Sequence, residues 1–115
     1  MDALDFINFT PHPITIRLPD VSEIVVETSG KIARVETEEE VVNSLNGIPI
    51  IKRRMGRVIL PQILPSEEGR IRLVSSMVLE ALKGHKEVFY APDTGNTAIR
   101  DAKGQVVAVT RLVRN

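Results

Sequence analysis

The chain predicts an α+β fold: a strand-rich single domain over residues 1–115, with about seven to nine short, mostly antiparallel strands and one main helix near residues 75–83. Three observations predict it. Runs with a period of two, such as Ile14-Thr15-Ile16-Arg17-Leu18 and Lys31-Ile32-Ala33-Arg34-Val35-Glu36, recur along the chain and mark strands. Proline and glycine interrupt those runs too often for long helices. Only the stretch from Ser75 to Gly84 combines a capping serine, apolar residues at helical spacing and a glycine stop. With 115 residues there is material for one core and not two.

Taken in order, Phe6-Ile7-Asn8-Phe9 and Ile14 to Leu18 are strands. They are separated by Thr10-Pro11-His12-Pro13, whose two prolines exclude a helix and fix a rigid turn. Glu23 to Val26 and Ile32 to Val35 are two more strands, with the Ser29-Gly30 turn between them. Thr37-Glu38-Glu39-Glu40 has the spacing of a capping box, followed by Val41, Val42 and Leu45, with Gly47 as a stop. That segment reads equally as one or two helical turns or as a polar loop. Gly47 to Pro61 reads as a hairpin folding back near Met55-Gly56, with prolines suggesting edge positions. Ile71 to Val74 leads into the helix, where Ser75 or Ser76 caps and Met77, Val78, Ala81 and Leu82 share a face. Val88 to Ala91 is a strand, Pro92 to Asn96 a loop, and Gln105 to Leu112 a closing strand behind the Ala102-Lys103-Gly104 turn.

Composition removes most enzyme classes that announce themselves. Without cysteine there is no disulfide framework, thiolate zinc site or cysteine nucleophile, and two histidines leave little room for a histidine metal centre. No cofactor and no metal are expected. No run reaches the roughly 18 apolar residues of a membrane span, and Met-Asp-Ala-Leu-Asp is acidic where a signal peptide is basic, so the expected address is the cytoplasm. The zero net charge hides an asymmetry. Residues 1–51 hold three bases against nine acids, and residues 52–115 hold twelve against six, so the halves carry −6 and +6. Opposite halves pair within or between subunits, or else present a basic pocket to an anionic ligand. A small strand-rich chain with much surface for its core also points to a homo-oligomer.

His12 is the one histidine in a constrained setting. It reads as a structural hydrogen-bonder, or as a general base for which no orienting partner is apparent. His85, at the helix end, reads as a solvated residue favoured by the helix dipole. Lys52-Arg53-Arg54 with Arg57 is the densest positive run, but alternate residues of a strand point to opposite faces, so it reads first as a charged hairpin that keeps an edge from aggregating. Nucleic acid is a poor partner for a chain of zero net charge with one tyrosine and three phenylalanines. Phe89 to Asp101 is richer. One of Phe89 and Tyr90 faces inward and the other is displayed for stacking, while Thr94, Asn96 and Arg100 supply hydrogen bonds and charge. The plain alternative is that Arg100 and Asp101 form a turn-side ion pair. The candidate ligand-binding set is thus Phe89, Tyr90, Thr94, Asn96, Arg100, Arg57 and His12, with no catalytic residue assigned.

Asn8-Phe9-Thr10-Pro11-His12-Pro13-Ile14, Gly30 to Val35, Gly47-Ile48-Pro49-Ile50, Leu73 to Val78, Ala91-Pro92-Asp93-Thr94 and Ile99-Arg100-Asp101 with Gly104 resemble, nearly end to end, small proteins common in tailed-phage and prophage genomes. In size and context these are similar to phage counter-defence sponges of the Thoeris anti-defence type. That resemblance implies a non-enzymatic protein that captures a cyclic ADP-ribose-like signal without cleaving it. No ligand residue carries over motif by motif, so the candidate set rests on local chemistry. Two other readings remain: a small phosphoesterase or nucleotide-processing enzyme using His12 with an acid, and a protein-interaction inhibitor using the hairpin 47–61.

Overall fold

The computed structural model describes all 115 residues. Ten strands, one α-helix and two short 3₁₀ turns make a strand-rich α+β architecture, with slightly more strands than expected. At its centre is a four-stranded sheet of β1 (Phe6–Asn8), β6 (Ile71–Leu73), β7 (Tyr90–Pro92) and β10 (Leu112–Arg114), in that order. β1, β6 and β7 run parallel and β10 antiparallel, so the central sheet is mixed while the three smaller ones are antiparallel. The parallel β6 to β7 step is bridged by α1 (Ser76–Ala81), as a parallel connection requires. Ser75 caps α1 by accepting from the Val78 N–H. No helix is long and apolar enough to cross a membrane.

The central sheet is covered on both faces. Ile7, Val74, Phe89 and Ala91 pack with Val78 and Leu79 of α1 and with Leu82 at its C-terminal cap in one cluster. Phe6 and Leu73 pack on the other face with Ile14, Ile16, Ile24 and Val26. Those last four belong to β2 (Ile14–Arg17) and β3 (Glu23–Val26), an antiparallel hairpin whose turn end is bridged by the Arg17–Glu23 ion pair. Alternate residues of β1 therefore face two different apolar clusters although β1 lies at the edge of the sheet, which explains why all three of its residues are buried. The region expected as one closing strand divides into β9 (Val106–Ala108), paired with β8 (Ile99–Arg100), and β10. Between them Val109 bonds across to β2 through its N–H to Thr15 and its carbonyl to Arg17.

The largest departure from expectation lies in residues 34–59. β4 (Arg34–Leu45) and β5 (Ile48–Ile59) form one long antiparallel ribbon. Residues 37–45 are strand, not helix or loop, and the chain reverses at Asn46-Gly47, not at Met55-Gly56. Asn46 and Gly47 both have positive φ, as a two-residue hairpin turn demands. Gly56 lies inside β5, where a Cβ would sit 3.0 Å from the Glu36 carbonyl oxygen, so glycine admits the close approach at a bulge. The register sets Glu38 opposite Arg54, Glu39 opposite Arg53 and Glu40 opposite Lys52. Much of the charge asymmetry between the halves of the chain is thus paired within this ribbon. The radius of gyration of 16.8 Å exceeds the ~13 Å of a compact chain of about this size, because the ribbon projects from the body as an arm.

The β2–β3 turn holds Val21 at φ 63° with its side chain 77% exposed. A β-branched residue is disfavoured there, and asparagine tolerates it. Val21→Asn should therefore stabilise the fold by about 1 kcal/mol, read as a higher urea midpoint at an unchanged slope.

Candidate functional site

The site is organised by a buried carboxamide. Asn8 is 1% exposed and uses all four of its side-chain hydrogen-bonding positions. Its Nδ2 donates to the His12 carbonyl (2.8 Å) and the Val26 carbonyl (3.1 Å), and its Oδ1 accepts from the Thr10 N–H (2.9 Å) and hydroxyl (2.7 Å). The Thr10 hydroxyl also lies 2.9 Å from the His12 carbonyl and shares its one proton between the two acceptors. Thr10-Pro11-His12-Pro13 is thereby clamped against β3, and the two prolines remove the backbone freedom that would let it move. His12 is held through its backbone and is exposed.

A cleft of about 500 Å³ opens beside this turn. One wall is Thr10 to Thr15, a second is Ser75, Ser76, Pro92 and Thr94, and the third is Val106 to Val109. The prolines and valines give it largely apolar walls. Its polar groups are the His12 imidazole and the hydroxyls of serine and threonine, and no arginine, lysine or carboxylate lines it. That size and mixture suit a small organic ligand with a flat body and a few hydrogen-bonding groups.

The structure brings two of the seven candidate residues, His12 and Thr94, to this cleft. Phe89 and Tyr90 do point to opposite faces of the sheet, but neither face is free. Phe89 is 1% exposed in the α1 core, and Tyr90 is half-buried against the β2–β3 core. The expected displayed ring is therefore absent, because the strand lies in a middle layer. Arg72 covers Phe89, its guanidinium 5.5 Å from the ring centroid and paired with Glu87. Asn96 is exposed on the 93–97 loop outside the cleft. Arg100 donates to the Thr94 carbonyl (2.9 Å) and the Gly104 carbonyl (2.8 Å), so it ties two loops together and lies outside the cleft lining. It makes no ion pair with Asp101, whose carboxylate instead accepts from the N–H groups of Lys103 and Gln105. Arg57 is on the arm, 3.8 Å from Glu36. Sequence reasoning missed Pro11, Pro13, Ser76, Pro92 and Val106 to Val109, whose chemistry is too ordinary to signal a site without the fold that gathers them.

The loop carrying Thr94 is held by Asp93. Its carboxylate accepts from the Gly95 N–H (3.0 Å) and from Nε and Nη2 of Arg111 (3.0 and 2.7 Å). The Gly95 N–H first, and then Arg111, hold this carboxyl below its ordinary value of 3.8. A carboxyl acidified by folding stabilises fully above its ordinary value, and that contribution fades as pH falls through the lower, folded value.

Two outcomes test the framework. Asn8→Ala should cost about 2–4 kcal/mol in urea unfolding, because it strands buried backbone partners. On lowering the pH from about 5 to about 2, the wild type should lose more stability than Asp93→Asn and the two curves should converge, since a protonated aspartate no longer attracts Arg111 more than an amide does. Parallel curves over that range would show that Asp93 carries no folding-linked acidity. Comparison with protein-family models, with curated proteins and with solved structures finds no match to this chain, so the local chemistry of the cleft carries its functional reading.

Proposed function

We infer that this protein binds and sequesters a small nucleotide-derived molecule in the cleft beside the Thr10–Pro13 turn, without turning it over. The observation that carries this reading is convergence. Segments far apart in the chain, Thr10 to Ile14, Ser75-Ser76 and the pair Pro92 and Thr94, which belong to the stretches resembling the phage proteins, meet around one cavity. The valine and proline walls accept the flat apolar faces of a base, and the threonine, serine and histidine groups accept or donate hydrogen bonds at its edges. With no fixed cation in the lining, the anionic part of such a ligand is directed to the mouth and solvent. Capture is favoured over cleavage because a general base needs a group to orient it, and no carboxylate lines the cleft beside His12. The role implied is that of a phage accessory protein acting in the host cytoplasm, lowering the free concentration of a defence signal.

The test is a thermal-shift screen of nucleosides and of linear and cyclic nucleotides, followed by chromatography of each mixture. A stabilising ligand should be recovered intact. Val107→Trp, which fills the cleft from its half-exposed rim, should weaken binding at least tenfold, while Lys52→Ala on the arm should leave it unchanged. His12→Ala should reduce affinity by less than tenfold, the worth of about one neutral hydrogen bond. Ligand converted to product by wild type but not by a folded His12→Ala variant would transfer the reading to the phosphoesterase class.

A further inference from the structure

The arm carries an uncovered face whose pattern fits a second copy of itself. Register partners in an antiparallel ribbon point to the same face, and a bulge shifts that pairing by one residue. Following the register outward from the body, one face bears Val35 with Val58, Thr37 with Met55, Glu39 with Arg53, and Val41 with Ile51. The first of these pairs packs against the α1 core. The same face then leaves the body and continues with nothing over it: Met55, Ile51 and Val41 are 43%, 42% and 67% exposed. The other face bears Glu38 with Arg54 and Glu40 with Lys52 along the shaft and is solvated there, and past the second bulge it ends in Leu45 with Ile48 at the tip. The arm is therefore amphipathic along its shaft, although a two-stranded ribbon in water is at best marginally stable without a packed face.

The charges select the occupant. On the apolar face the single ion pair, Glu39–Arg53 at 2.7 Å, lies between Thr37–Met55 and Val41–Ile51. Consider two arms packed face to face at the roughly 10 Å spacing of stacked sheets. A twofold axis lying along the arms sets β4 of one copy over β5 of the other, so each Glu39 meets the partner's Arg53 as well as its own. A twofold axis across the arms sets β4 over β4 and brings like charges together. Pairing edge to edge about a twofold axis meets the same penalty, acid beside acid along β4 and base beside base along β5.

We propose that the apolar face of the β4–β5 arm is a homodimer interface, formed by two arms packed face to face and side by side about a twofold axis parallel to their length. Met55, Ile51 and Val41 of both copies form its apolar centre, and Glu39 and Arg53 form a four-charge cluster that fixes its orientation. This assignment is independent of the cleft, which lies on the body and not on the arm.

Sedimentation over a concentration series tests it. At tens of micromolar the mass should be about twice the 12.8 kDa of one chain. Ile51→Lys, on the packed face, should give a folded monomer, whereas Lys52→Ala, on the solvated face, should remain dimeric. Arg53→Glu should weaken dimerisation at least tenfold, and adding Glu39→Arg to it should restore self-association. That doubly substituted protein should fail to form mixed dimers with wild type in subunit exchange followed by native mass spectrometry, because each 39–53 contact between the copies then pairs like charges. A wild-type monomer at about 100 µM, an unchanged dimer in Ile51→Lys, or free exchange between the charge-swapped and wild-type chains would each overturn the proposal.

Discussion

Four hydrogen bonds to one side chain fix how the Thr10–Pro13 turn sits against the β-strands beside it. Asn8 ends β1, and its carboxamide spans the Thr10–Pro13 turn on one side and β3 on the other. Its own carbonyl accepts from the Ser29 N–H and hydroxyl, at 3.0 and 2.7 Å, so the same residue also anchors the chain as it leaves β3. A buried amide is costly unless every position is used, and here every position is used. An apolar residue of similar size would fill the volume. It would take the side-chain partner from the Val26 carbonyl and the Thr10 N–H and leave the His12 carbonyl with the Thr10 hydroxyl alone, weakening the preference for this turn geometry. The cleft wall is therefore as rigid as the Asn8 network, and an open, solvent-facing cavity can keep a defined shape without a ligand in it.

The fold class was legible because it rests on local signals. The proline pair at 11 and 13, the alternation of β2 and β3 and the serine cap of α1 each act over a few residues and survive into the structure. The arm shows how a local signal misleads when a stronger one stands nearby. Thr37 to Glu40 does have capping-box spacing, yet Asn46-Gly47 flanked by Leu45 and Ile48 is the more specific signal, since few residue pairs tolerate two consecutive positive φ angles. Once that turn nucleates, every glutamate from 38 to 40 finds a base opposite it, and a helix would offer them only one another. Asn46-Gly47 was readable in the sequence. That Met55-Gly56 marks a bulge was not, because the demand for glycine there comes from the Glu36 carbonyl on the other strand.

The cleft was only partly legible for a different reason. His12 and Thr94 stood out because each is polar in a constrained loop, and both reach the cavity. Phe89 and Tyr90 stood out because alternation should expose one of two neighbouring aromatic side chains, which holds for a sheet with one wet face. This sheet is a middle layer, so alternation distributes the rings between two cores. The parallel β1–β6–β7 arrangement that makes it a middle layer depends on contacts between residues more than sixty positions apart, Phe6 to Asn8 with Ile71 to Leu73, and no local pattern encodes that pairing.

Charge in this chain is spent on structure before it is available for ligands. Each of the four carboxyl groups held below its ordinary range sits in a short loop or turn: Asp20 lowered by the Ser22 hydroxyl, Glu67 by Lys31, Glu87 by Arg72, and Asp93 by the Gly95 N–H and Arg111. Arg100 is committed to two backbone carbonyls, and the bases of the arm face the acids of β4. A cation whose donors are already engaged by its own chain is a poor anchor for a phosphate, since a ligand must first replace bonds that cost nothing to keep. A ligand in the cleft, as proposed, would be held by shape, by apolar contact with proline and valine, and by hydroxyl and imidazole hydrogen bonds. Binding through such contacts depends less on salt than binding through fixed charges does, because screening acts on charges and leaves apolar burial nearly untouched.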